Sequence, residues 1–85
     1  MTAQDISTKT SEITKWLVQQ VATLLGVSPE QVDVHAEFPE LGLDSAAGVE
    51  LVGYIETRFG GQLSPTIVWD YPTIEKLAGY LAKKH

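Results

Sequence analysis

Apolar residues recur at helical spacing in three stretches, and no stretch alternates in the manner of a strand. From Ser11 onward, Ile13, Trp16, Leu17, Val21, Leu24 and Leu25 share one face by three- and four-residue steps, which predicts a helix from Ser11 to Leu25. At 1.5 Å per residue it would be about 22 Å long, and Gly26 suits its C-terminal stop. Gly48, Val52, Ile55 and Phe59 form a second stripe flanked by Leu51, and predict a helix from about Ser45 to Phe59. Gly60-Gly61 ends it, and Arg58 complements its negative end. Ile74, Leu77, Ala78 and Leu81 give a last helix, from Ile74 to about Lys83 with Thr73 as its cap.

Between these lie shorter signals. Ser28-Pro29-Glu30-Gln31 reads as one helical turn, with Ser28 as cap, Pro29 at the first helical position and Gln31 completing a capping box. Ser64-Pro65 repeats the cap-then-proline signal and predicts a short helix from Thr66 to Trp69. Asp33 to Asp44 is expected to be a long loop, pinned by Phe38, Leu41 and Leu43 and punctuated by Pro39 and Gly42. Residues 1–10 are polar and aperiodic, and read as a flexible segment before a domain spanning 11–85. The expected fold is all-α: a small bundle of three main helices plus one short helix, with a long loop between helices one and two. Gly48 and Gly53 each lower helix propensity by about 1 kcal/mol relative to Ala, and close packing against another helix would explain both.

Composition narrows the function. With 85 residues the chain holds one domain. It has no cysteine, so neither a disulfide framework nor a thiolate metal site can form. No apolar run approaches the roughly 20 residues of a membrane span, and no secretory signal pattern opens the chain; a cytoplasmic location is expected. The net charge of −5 disfavours nucleic acid and anionic membrane as partners. No Lys or Arg lies between Trp16 and Thr57, whereas Glu30, Asp33, Glu37, Glu40, Asp44, Glu50 and Glu56 all do. That span is either solvated acidic surface or a one-signed field that attracts basic partners.

Within that span lies Leu41-Gly42-Leu43-Asp44-Ser45. Asp44 suits a helix N-cap, and Ser45 then falls on the first turn, where free N–H groups and the macrodipole favour an anion. From these residues alone two readings are open: a plain helix cap, or a hydroxyl placed to carry a phosphate. A catalytic serine is disfavoured. Ser45 lacks a Gly-x-Ser-x-Gly elbow, and the only histidines are His35 and His85. No calcium-loop ligand run and no Gly-rich phosphate cradle occur, so neither a metal site nor a catalytic set is expected.

Leu41-Gly42-Leu43-Asp44-Ser45 followed by Val49-Glu50-Leu51 resembles the attachment site of acyl carrier proteins, most of all the carrier domains of polyketide synthases. A second segment, Trp69-Asp70-Tyr71-Pro72-Thr73-Ile74-Glu75-Lys76-Leu77-Ala78, is similar to the lead into the last helix of such domains. The resemblance implies that Ser45 carries a covalent 4′-phosphopantetheine arm derived from coenzyme A, whose terminal thiol holds acyl groups as thioesters. It implies a non-catalytic, monomeric carrier in a polyketide or lipid-like assembly line. The implied partners are a phosphopantetheinyl transferase, an acyl-loading enzyme (an acyltransferase or an acyl-adenylating ligase) and a ketosynthase or other synthase domains. A peptidyl carrier and an unmodified helical interaction module are the alternatives.

The sequence departs from that pattern at Ala46, where Leu commonly follows the modified serine, at Val52, where many polyketide carriers have a basic residue, and at Trp69, where Phe is more usual. Asp44, Ala46, Glu50, Val52 and Glu56 are the expected partner-binding residues on the second helix.

Overall fold

The computed structural model describes residues 3–84, with side chains from Thr8 onward. Its helices are α1 (Ala3–Leu25), α2 (Phe38–Leu41), α3 (Ser45–Phe59), α4 (Ile67–Asp70) and α5 (Ile74–Lys84), with a 3-10 turn at Pro29–Gln31. Among the described residues the one strand-like feature is an isolated antiparallel bridge between Glu37 and Thr73. The expected all-α bundle with three long helices is therefore the fold.

Helix α1 packs mainly against α5 and also against α3, while α4 closes against α3. Leu17 and Val21 of α1, Leu51 and Ile55 of α3, and Ile74, Leu77 and Leu81 of α5 are all fully buried. Burying each such side chain stabilises by roughly 1.5–3 kcal/mol, enough to hold helices of this length that would be marginal alone. Ala22 and Ala82 join this core although their small side chains gave no periodic signal.

Two expectations need correction. Helix α1 begins at Ala3, not Ser11. Residues 3–10 contain neither Gly nor Pro, so nothing in their backbone chemistry stops a helix. The second correction is α2, which interrupts the expected loop. Pro39 stands in its first turn. The Glu40 carboxylate accepts the Glu37 amide at 3.0 Å, the back-reaching half of a capping box.

Helices α1 and α2 end in the same way. At Gly26, φ is +70°, and at Gly42 it is +100°. The amide after each glycine donates to a carbonyl five residues back, Val27 to Ala22 and Leu43 to Phe38, both at 3.0 Å. This is a Schellman stop, and at Gly42 it turns the chain out of α2 toward Asp44.

The rest of the segment is stitched to the start of α5. Phe38 donates its amide to Pro72 at 2.9 Å, and Glu75 donates to Val34 at 3.1 Å. The Thr73 hydroxyl accepts the Lys76 amide at 3.1 Å, so Thr73 caps α5 as expected. Phe38, fully buried, and Leu43 pin the segment from below. Helix α4 begins one residue later than the expected Thr66, with Ile67 and Val68 buried.

Candidate functional site

Helix α3 spans the expected residues because its start and stop are both local. Asp44 is extended, with φ −92° and ψ −177°. Its Oδ1 accepts the Ala47 amide at 2.8 Å, and its carbonyl accepts the Gly48 amide at 2.9 Å. The cap therefore uses the carboxylate and carbonyl of Asp44 and not the Ser45 hydroxyl, and Ser45 and Ala46 open the helix. Both are exposed. An exposed primary hydroxyl, beside the amides of residues 45 and 46 at the positive end of a four-turn helix, fits a phosphodiester-linked group.

Below Ser45 on the same face, at three- and four-residue steps, lie Val49, Val52 and Glu56. Val49 is 63% exposed. Val52, expected to face partners, is only 6% exposed and belongs to the core. It also lines a groove of about 270 Å³ together with Val49, Gly53, Glu56, Leu63 and Pro65. Sequence periodicity had placed Val52 on the apolar stripe, but not that Leu63 and Pro65, from the segment after α3, line the groove beside it. Val49 was missed as an exposed apolar residue because it stands beside that stripe.

The two expected acidic partner residues differ in kind. Glu50 is exposed, on a different side of α3 from Ser45. Glu56 is half-buried, and its Oε2 accepts the Leu63 amide at 2.8 Å. Asp44 and Ala46 are exposed next to Ser45.

Gly48, one turn below Ser45, is buried against α4. A Cβ built there would stand 3.0 Å from Trp69 Cζ2 and 3.3 Å from Val68 Cγ2. This close approach explains one of the two helix-weakening glycines. Around Gly53 nothing lies within 4 Å of such a Cβ, so close packing does not explain the other.

At the far end of α3, Trp16 meets Phe59 edge-on with centroids 5.8 Å apart, and the Arg58 guanidinium lies 5.8 Å from the Trp16 ring. Trp16 is thus a core-edge residue whose ring a cation covers. His35 is not unpartnered: its Nδ1 is 3.2 Å from Glu75 Oε2, an exposed pair at the start of α5. His85 lies outside the described residues. Among the described residues no acidic or histidine cluster could hold a metal ion, and no helix is long and apolar enough to cross a membrane.

Residues 15–81 match the family described as the phosphopantetheine attachment site. Mycoketide-CoA synthase of Mycobacterium tuberculosis is 43% identical over 65 residues, which cover 75% of this chain and 2% of that protein. The chain is thus similar to a small part of a much larger enzyme. Among solved structures, a free-standing peptidyl carrier protein from a secondary metabolic pathway of Acinetobacter baumannii superposes with a TM-score of 0.86 at 34% identity, covering 89% of this chain and 95% of the other. The HMG-ACPI domain from the CurA module of Lyngbya majuscula superposes at 0.85 with 36% identity, covering 99% and 85%.

Proposed function

Because the chain belongs to the phosphopantetheine attachment-site family, we propose that Ser45 is the residue that carries its arm. The chain is a carrier domain with no catalytic part of its own, and its family holds a covalent 4′-phosphopantetheine. When bound, that group supplies a terminal thiol on which an acyl chain rides as a thioester. The protein's residues do the presenting. Asp44 fixes the start of α3, α3 holds Ser45 outward on a rigid scaffold, and the amides of the first turn favour the phosphate charge. In the attachment step the Ser45 hydroxyl oxygen bonds to phosphorus and displaces the nucleotide half of coenzyme A.

The observation that carries this reading is the capped helix start that leaves Ser45 exposed, within a chain whose residues 15–81 match the family. Partner enzymes would include a phosphopantetheinyl transferase, an acyltransferase or acyl-adenylating ligase, and a ketosynthase. Asp44, Ala46 and Glu50 are the exposed residues proposed to meet them, with Val49 and Val52 supplying apolar contact along the groove. A polyketide-type acyl cargo is favoured over a peptidyl one by similarity to polyketide synthase PksM of Bacillus subtilis, 38% identical over 80 residues; the fold itself is shared with a peptidyl carrier.

The test is intact mass after treatment with a phosphopantetheinyl transferase and coenzyme A. One arm should be added to the wild type and none to Ser45→Ala. A wild type that stays unmodified by several such transferases would sink the assignment.

A further inference from the structure

We propose that Glu56 is a positioning residue for attachment of the arm at Ser45. It acts by holding the segment after α3 in place, and not by presenting negative charge. The inference rests on Ser45 being the attachment residue.

Glu56 grips that segment twice. Its carbonyl accepts the Gly60 amide at 2.8 Å, and its carboxylate accepts the Leu63 amide at 2.8 Å. Between those two bonds stand Gly60 and Gly61, with φ of +78° and +80°. Neither glycine has a side chain to fix the turn, and a Cβ at either would meet nothing within 4 Å. The turn is therefore defined by what it is tied to, and the Glu56 carboxylate is the tie on its far side. A hydrogen bond to an ionised acceptor is among the stronger ones available.

The position of the tied segment bears on Ser45. Ser45, Val49, Val52 and Glu56 follow one another down a single face of α3. Leu63 and Pro65 line the groove that shares Val49, Val52 and Glu56. An enzyme that reaches Ser45 across this face meets Leu63 and Pro65 as a wall. Glu56 sets where that wall stands. A role through charge fits Glu56 poorly, since it is half-buried with one oxygen committed, whereas Glu50 is exposed.

The experiment compares wild type, Glu56→Gln, Glu56→Ala and Leu63→Ala. A phosphopantetheinyl transferase and coenzyme A modify each at several carrier concentrations, and intact mass gives the rates, separating KM from kcat. Amide hydrogen exchange at Leu63 reads the tie itself. Glu56→Gln keeps an acceptor oxygen without the charge, so Leu63 should stay protected and KM should match wild type. Glu56→Ala should expose the Leu63 amide and raise KM severalfold, with kcat nearly unchanged. Leu63→Ala, which cuts back the wall and leaves the tie, should also raise KM. If Glu56→Gln is as slow as Glu56→Ala while Leu63 stays protected, charge is what matters and the proposal fails. It fails equally if Glu56→Ala frees the amide yet reacts like wild type, or if Leu63→Ala leaves KM unchanged. A wild type that gains no mass overturns the Ser45 reading itself, and this inference with it.

Discussion

A methyl group at Gly48 would stand 3.0 Å from Trp69 Cζ2 and 3.3 Å from Val68 Cγ2, so α3 and α4 meet where a side chain fits only if both neighbours give way. Trp69 is 39% exposed and has room to shift, but Val68 is fully buried and has none. Overpacking of this kind costs about 1–3 kcal/mol, against a helix-propensity gain of about 1 kcal/mol. Gly48→Ala should therefore destabilise the domain. Gly53→Ala has open space and no positive φ, and should stabilise by about 0.5–1 kcal/mol. Urea denaturation of the two variants should give shifts of opposite sign; equal signs would mean that the α3–α4 contact is looser than described.

Capping predicts a contrast between neighbours. Asp44→Ala removes the acceptor of the Ala47 amide and should cost about 1 kcal/mol. Ser45→Ala alters an exposed residue outside that bond and should stay within about ±0.5 kcal/mol. Denaturation midpoints with unchanged m-values would check both. A large loss at Ser45 with none at Asp44 would place the helix start wrongly.

Gly42 sets the approach to that cap. At φ +100°, an L-residue is strained by about 1–2 kcal/mol, and Gly42→Ala should destabilise by that order. The effect should appear in thermal melts and in faster exchange of the Leu43 amide, which closes the Schellman stop onto Phe38.

Glu50 carries the electrostatic prediction. An exposed carboxylate steers a basic partner mainly through association rate, over a screening length of about 10 Å at 0.1 M salt. Glu50→Lys should slow attachment of the arm at low salt, leave helicity intact by circular dichroism, and lose its effect as salt rises. Rates indifferent to both salt and the reversal would leave docking to apolar contact through Val49.

Much of this was legible along the chain because it is local. The span of α3, the Asp44 cap, the Gly26 stop, the turn at Pro29–Gln31 and the Thr73 cap depend on partners within about five residues, the reach of helical hydrogen bonds and caps. The attachment-site resemblance around Ser45 was legible for the same reason, since it lies in a contiguous stretch.

Other features were decided only by residues brought together from far apart. Two chemically identical glycines, Gly48 and Gly53, differ because α4 lies against one and nothing lies against the other. Val49 and Val52 share one groove although one is exposed and the other buried, because Leu63 and Pro65 come to line it beside them. His35 finds Glu75 across the stitching of Val34 to α5. Glu56, expected on the partner-binding face, also accepts the Leu63 amide because the chain turns back at Gly60-Gly61. For the residues of α3, periodicity gave the face of the helix. What covers that face is set by the path of the chain between helices, where side-chain burial and backbone hydrogen bonds outweigh local preference.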